Sequence, residues 1–180
     1  MVPELYEAWH AGISKWKNYK SLNKYSIGIE ITNPGHQFGY KNFTSKQIYT
    51  LKKVLKYLMK KYRIDKKCIL GHSDISPNRK KDPGEKFPWQ ILAKSNLVWW
   101  HGLDQKKLKK NRKVKIIFQS EKSRFFKNLN KIGYNNITGL KSHINNKYLT
   151  KAFQRRFRQS IIDGKIDKEC LLISKNLSSN

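Results

Sequence analysis

Between Tyr25 and Thr32 the chain alternates, Tyr-Ser-Ile-Gly-Ile-Glu-Ile-Thr, and then stops at Asn33-Pro34-Gly35. Successive side chains on an extended backbone point to opposite faces. Ile27, Ile29 and Ile31 therefore share one face, and Gly28, Glu30 and Thr32 the other. Period-two alternation of β-branched residues, closed by a strong turn signal, predicts a buried strand. A carboxylate in such surroundings is costly unless something pairs with it, so Glu30 needs a partner or a role. The period then changes. Thr44 with Gln47 three residues on is a capping-box pattern. Ile48, Leu51, Leu55, Leu58, Met59 and Tyr62 recur at the spacing of a helical apolar stripe, with Lys52, Lys53, Lys56, Lys60 and Lys61 mostly opposite. Cys68-Ile69-Leu70-Gly71-His72 predicts a short buried strand that delivers His72 at its end. Strand, helix, strand in this order predicts an α/β unit.

Beyond it, Ser73 to Trp89 holds three prolines and the turn Asp82-Pro83-Gly84, and reads as a structured loop. Gln90 to Leu103 is a short apolar segment carrying Trp99-Trp100. From Asp104 to Lys113 lysine dominates without apolar periodicity, the signature of a basic linker. After it, Phe125, Phe126, Leu129 and Ile132 predict a helix closed by Gly133. Tyr148, Leu149, Ala152, Phe153 and Phe157 predict a second, and Cys170 to Ile173 a short third. The expected organisation is a first domain over 1–103, a linker over 104–113, and a small all-α three-helix domain over 114–180.

The chain carries 39 Lys and Arg against 12 Asp and Glu, a formal net charge of +27. Such a field attracts polyanions of any kind. Lysine outnumbers arginine, and Asn, Ile and Tyr are also frequent, as translation of an AT-rich genome would give; lysines spread along whole helices read as a solvated face. No RNP, zinc-finger or helix-turn-helix pattern supports a nucleic-acid partner, so no specific nucleic acid is expected. Cys68 and Cys170 are the only cysteines, which excludes a disulfide framework and a thiolate zinc cluster and leaves two free thiols, by default buried. No run reaches membrane-spanning length, and no signal-peptide core follows Met1.

His72 and Asp82 are the pair to explain. Each sits at an expected strand end or turn, and both residue types are common zinc ligands. A catalytic zinc site uses three protein ligands and leaves one position open for water. Glu30 could take a proton from that water, and Lys80 could offset charge on an oxyanion. Each also has a structural alternative: a satisfied histidine, a turn aspartate before Pro-Gly, or a solvated lysine in the run Arg79-Lys80-Lys81.

Four blocks follow one another in order: Trp9-His10-Ala11-Gly12, Ser26-Ile27-Gly28-Ile29-Glu30, Gly71-His72-Ser73-Asp74-Ile75-Ser76-Pro77, and Arg79-Lys80-Lys81-Asp82-Pro83-Gly84 with Phe87-Pro88-Trp89. From about Val2 to Leu103 this series resembles the type-2 N-acetylmuramoyl-L-alanine amidases of the AmpD/AmiD kind, zinc enzymes related to animal peptidoglycan-recognition proteins. Any one block is weak; the ordered set is specific. The resemblance implies a mixed central sheet flanked by helices. It implies Zn2+ held by His72 and Asp82, Glu30 assisting the attacking water, Lys80 stabilising the transition state, and His10 along the substrate groove. The implied reaction is hydrolysis of the amide between the lactyl group of N-acetylmuramic acid and L-alanine, on peptidoglycan or a soluble muropeptide. Leu129 to Tyr134, Ala152 to Phe157 and Asp163 to Asp167 resemble, more loosely, a small three-helix peptidoglycan-binding domain; any small helical domain is the alternative. A monomer acting in the cell envelope or periplasm is expected, with the cytoplasm as the alternative.

One departure stands out. The family's first zinc ligand is a histidine ending an early strand, well upstream of the Trp-His-Ala-Gly block, and here Met1 lies nine positions before His10. The histidines are His10, His36, His72, His101 and His143, and none occupies that motif. The first strand and its ligand are therefore expected to be missing. Three accounts fit: a start further upstream, a fragment of a decaying gene, or His10 or His36 as a substitute ligand. The departure also gives a rival reading, a peptidoglycan-binding remnant without catalysis.

Overall fold

The computed structural model describes residues 2, 3 and 6–179. Its elements are β1 (Lys15–Trp16), β2 (Tyr19–Lys20), α1 (Ser45–Tyr62), α2 (His72–Ile75), α3 (Trp89–Lys94), α4 (Gln105–Asn111), α5 (Gln119–Ile132), α6 (Ser142–Phe157) and α7 (Lys168–Ser178). Helix α1 forms as its sequence requires. The Thr44 hydroxyl accepts from Gln47 N at 3.2 Å, and the Gln47 side chain accepts from Thr44 N at 2.9 Å. These two bonds satisfy donors that a helix start otherwise leaves unpaired. Ile48, Leu51 and Leu55 are buried, Leu58 and Met59 half-buried, while Lys53, Lys56, Lys60 and Lys61 face solvent. The apolar stripe thus seats the first three turns and loosens toward Arg63, where a left-handed residue (φ 52°) ends the helix.

The expected mixed sheet is not what the described residues form. Their one sheet is the antiparallel pair β1–β2, with Lys15 opposite Lys20 and Trp16 opposite Tyr19. Tyr25 to Thr32, expected as a buried strand, belongs to no ladder; Ile27 is 47% and Ile29 42% exposed. Alternation assigns faces to side chains, but a strand also needs a neighbouring backbone to pair its N–H and C=O groups, and no described segment pairs with it. Cys68 to His72 is not a strand either. A 3-10 turn, Lys66–Cys68, is capped by Asp65, whose carboxylate accepts from Lys67 N at 2.6 Å. Gly71 then caps α2, and His72 opens that helix. Of the two free thiols, Cys170 is buried and Cys68 is exposed.

Two apolar clusters carry the fold. One joins α1 to the following loop and α3 through Ile48, Leu51, Leu55, Phe87, Trp89 and Leu92. The other is centred on α5, α6 and α7, with Phe125, Leu129, Phe153 and Ile173, and it takes in Ala11, Trp16 and Leu22 from the N-terminal part. Trp16 lies against Gly133, the residue that closes α5 at φ 137°; a Cβ there would stand 2.5 Å from the indole. Glycine is required at that position twice over, for the backbone angle and for the approach. Asp104 to Lys113, expected as a linker, holds α4 instead: Asp104 caps it, Leu108 is 1% exposed within the second cluster, and α4 packs on α7. A single buried leucine sets no sequence period, which is why the helix is not visible in the pattern. Among the described residues no helix is long and apolar enough to cross a membrane.

Candidate active site

The loop from Gly71 to Trp89 is pinned to itself and to the N-terminal turn. Ser73 N donates to the Asp82 carbonyl at 2.9 Å, which brings the start and the middle of the loop together. Ser76 Oγ donates to Ile13 O at 2.8 Å, and Arg79 donates to Ala11 O at 3.0 Å and Ile13 O at 2.9 Å. The peptide bond between Asp82 and Pro83 is cis. Tyr40 closes the far side: its hydroxyl donates to Pro83 O at 2.6 Å and accepts from Lys86 N at 3.0 Å. Burial pushes the Tyr40 phenol up to about 12, so it remains a donor at neutral pH.

Within this frame His72 and Asp82 meet. His72 Nδ1 stands 3.0 Å from Asp82 Oδ2, and His72 Nε2 stands 3.2 Å from Ala11 O. A carbonyl oxygen only accepts, so Nε2 carries hydrogen and donates to Ala11. Nδ1 faces the Asp82 carboxylate, to which it donates when it carries hydrogen and beside which it can share a metal ion when it does not. Burial alone would raise the Asp82 carboxyl, but the His72 hydrogen bond and charge, a backbone hydrogen bond and the Lys80 charge outweigh it, and the group is held below its ordinary value. Lys80, whose backbone N–H donates to Ser76 O at 2.9 Å, thus acts on Asp82 through its charge. His72 is largely covered, with a side chain 19% exposed, and Asp82 is open, at 59%.

The donor pair fits zinc in kind and in spacing. Two ligands of one tetrahedral zinc, each about 2.0–2.2 Å from the ion, stand about 3.3 Å apart. A backbone carbonyl receiving the other ring N–H is the usual way a ligating histidine is oriented. The count is short: among the described residues no group of three His, Cys, Asp or Glu could hold a metal ion. The substitutes that sequence offered are engaged elsewhere. His10 bonds Ala8 O at 2.8 Å and Ser26 Oγ at 3.0 Å, and His36 pairs with Glu85 at 3.0 Å and stacks on Tyr40, ring centroids 4.4 Å apart.

His10 is nevertheless close to the Glu30 segment. A Cβ on Gly28 would stand 2.5 Å from the His10 ring, so only glycine lets the imidazole lie on that backbone. Glu30 itself is exposed, and no hydrogen bond or ion pair engages it among the described residues. The structure therefore brings His72, Asp82 and Lys80 together, sets His10 against the Ser26–Gly28 backbone, and leaves Glu30 free on its extended segment.

Sequence reasoning missed what lies beneath the loop. Asp74 is 2% exposed; its Oδ2 accepts from Gly71 N and from Arg156, each at 2.8 Å, and its Oδ1 accepts from the Tyr134 hydroxyl at 2.6 Å. Arg156 also donates to Ile69 O at 2.8 Å and lies 4.3 Å over the Trp89 ring. Burial, and then the Asp74 charge, hold the Tyr134 phenol well above its ordinary value, which keeps it a donor. Arg156 and Asp74 are 82 residues apart, so no local pattern announces them.

Residues 1–85 match the protein family described as N-acetylmuramoyl-L-alanine amidase. The structure superposes on that of the Escherichia coli amidase AmiD with a TM-score of 0.85 at 31% identity, over 99% of this chain and 71% of that one. This chain belongs to the N-acetylmuramoyl-L-alanine amidase family. The structure of Pseudomonas aeruginosa AmpDh3 superposes with a TM-score of 0.83 at 30% identity, again over 99% of this chain and 71% of that one. In sequence, the chain is 42% identical to E. coli AmiD over 105 residues, 56% of this chain and 38% of that protein. It is 42% identical to the 1,6-anhydro-N-acetylmuramyl-L-alanine amidase AmpD of Haemophilus influenzae over 89 residues, 49% of this chain and 46% of that protein. The chain thus spans less than half the length of these curated amidases. The superposition extends through α5, α6 and α7, so the helical region has a counterpart in both solved structures. The AmiD structure holds anhydro-N-acetylmuramic acid-L-Ala-D-gamma-Glu-L-Lys, and AmpDh3 has been solved with an anhydromuramic pentapeptide.

Proposed function

We propose that this protein is a zinc-dependent N-acetylmuramoyl-L-alanine amidase that hydrolyses the amide between N-acetylmuramic acid and L-alanine in peptidoglycan or muropeptides. The observation that carries the reading is the His72–Asp82 pair, with Nδ1 and Oδ2 3.0 Å apart and the other ring nitrogen against the Ala11 carbonyl. His72 Nδ1 and Asp82 Oδ2 would hold the metal, which when bound supplies a Lewis acid that polarises a carbonyl and acidifies water. Glu30, exposed and without a partner among the described residues, is free to accept the proton that water loses when it attacks the lactyl carbonyl, and to return it to the departing alanine nitrogen. Lys80, close enough to lower the Asp82 carboxyl, is placed to offset charge on the carbonyl oxygen. His10, anchored by Ser26, lies along the substrate groove. The products are the free muramic acid sugar and the free stem peptide. The muropeptides held by AmiD and AmpDh3 support this substrate class. We place the enzyme, acting as a monomer, in the cell envelope.

One observation favours a second reading, binding without cleavage: two metal-binding donors stand where a catalytic zinc uses three. An open groove of about 530 Å3 in the helical region, lined by Gln119, Ser123, Phe126, Asn136 and Asn145, offers polar and apolar surface for a glycan. The test is mass-spectrometric detection of cleavage of a defined muropeptide by the purified chain with added zinc. Cleavage that is stopped by a chelator, and that falls about 100- to 10,000-fold in Glu30→Ala, is the expected result. Retention on sacculi with no released peptide would replace it with the second reading.

A further inference from the structure

The segment Ala152 to Phe157, which resembles part of a wall-binding module, is turned inward. Gln154 is 0%, Arg155 9% and Arg156 2% exposed, so this face is not available to a polymer. Arg156 instead enters the ground beneath His72. It holds the Ile69 carbonyl and the Asp74 carboxylate, while Asp74 holds the Gly71 N–H and receives Tyr134. Ile69 and Gly71 precede His72, and Asp74 follows it by two positions. The backbone before the imidazole is therefore held by Arg156 directly at Ile69 and through Asp74 at Gly71, and the Asp74 side chain after it is held in turn by Arg156 and Tyr134.

Stability alone is a poor reason for this arrangement. Taking a guanidinium, a carboxylate and a phenol out of water costs about as much as their attraction returns, and apolar side chains of the same volume often do as well or better. What apolar side chains cannot provide is a directional bond to a chosen carbonyl and a chosen N–H. Here those bonds set the path of the chain from Ile69 to Asp74, and with it the point at which His72 Nδ1 faces Asp82.

We propose that Arg156 and Tyr134 are positioning residues for His72, so that α6 and the turn after α5 form part of the metal-binding unit rather than a separable binding module. The proposal rests on the zinc reading above. It is tested on the full chain with Tyr134→Phe, which keeps the ring in the core and removes one hydrogen bond. Arg156→Lys is the second variant; it keeps the charge and loses the fork that reaches Asp74 and Ile69 together. Gln159→Ala is the control, because Gln159 bonds Phe87 O at 2.7 Å in the same interface without touching Asp74. Two readouts are compared, zinc affinity by competition with a chromophoric chelator, and the ring 15N signals of His72 in metal-free protein. Both positioning variants are expected to shift the His72 signals and weaken zinc binding about tenfold, with the control within twofold of wild type. Unchanged His72 signals and zinc affinity in Tyr134→Phe, with only a lower melting temperature, would overturn the proposal. Should Arg156→Lys fail to fold, Tyr134→Phe decides alone. A wild type that binds no zinc would count against the zinc reading, and the His72 signals would still decide whether the helical region sets that ring.

Discussion

Ser26 to Thr32 and Ile69 to Trp89 bring the two halves of one candidate site, and they are built in opposite ways. The first is extended backbone with Ile27 and Ile29 nearly half exposed and a carboxylate that nothing among the described residues holds. The second is a loop tied at Gly71, Ser73, Ser76 and Arg79, with a buried ion pair beneath it. A metal ligand must sit within a few tenths of an ångström of its place, and the locked loop meets that need. A base that only relays a proton can reach its position when substrate arrives. Under the proposed zinc reading, the cost of ordering is met in advance at His72 and Asp82, and not at Glu30.

The comparison breaks most visibly at Asp74. Asp74→Ala leaves Arg156 buried without its partner and should cost about 3–5 kcal/mol, measured by urea unfolding. A loss under about 1 kcal/mol would show that the loop is not held from below. Next in size is a pH effect at His101, which is 6% exposed and whose imidazole burial pushes down to about 4. Its folded value lies below its unfolded one, so the unfolded chain binds the proton first. Stability should be full above about pH 6.5 and fall as pH drops toward 4, by roughly 3 kcal/mol, and His101→Leu should flatten that slope. Asp82, Glu85 and Asp163 act in a separate, lower window. Their folded carboxyls are depressed, so their contribution is present above about pH 4 and is lost as pH falls through the folded values. The smallest effect belongs to the open segment: Ile29→Thr should change stability by no more than about 0.5 kcal/mol. A larger loss would mean that this segment is packed in solution.

The legible parts of the molecule are those whose cause is local. Thr44 and Gln47 cap α1 three residues apart, and Ile48, Leu51 and Leu55 fall on one face by spacing alone. His72 and Asp82 stood out because a histidine and a pre-proline aspartate recur in an ordered motif set. Alternation at Tyr25 to Thr32 gave the faces but could not supply a neighbouring strand. Leu108 alone could not reveal α4 among its lysines. The contacts of Arg156 and Tyr134 with Asp74 span 82 and 60 residues, and such pairings are made by tertiary packing that one sequence does not display. Gly71 carried its own hint, since a glycine before a histidine also suits a helix cap, and the apolar run ahead of it masked that role.

The most direct test of the central claim is anomalous diffraction at the zinc edge from crystals of the full chain grown with zinc. One ion is expected, bonded to His72 Nδ1 and Asp82 Oδ2 at about 2.0–2.2 Å, with His72 Nε2 still donating to Ala11. An ion bound away from this pair, or none there while a protonated His72 donates to Asp82, would contradict it.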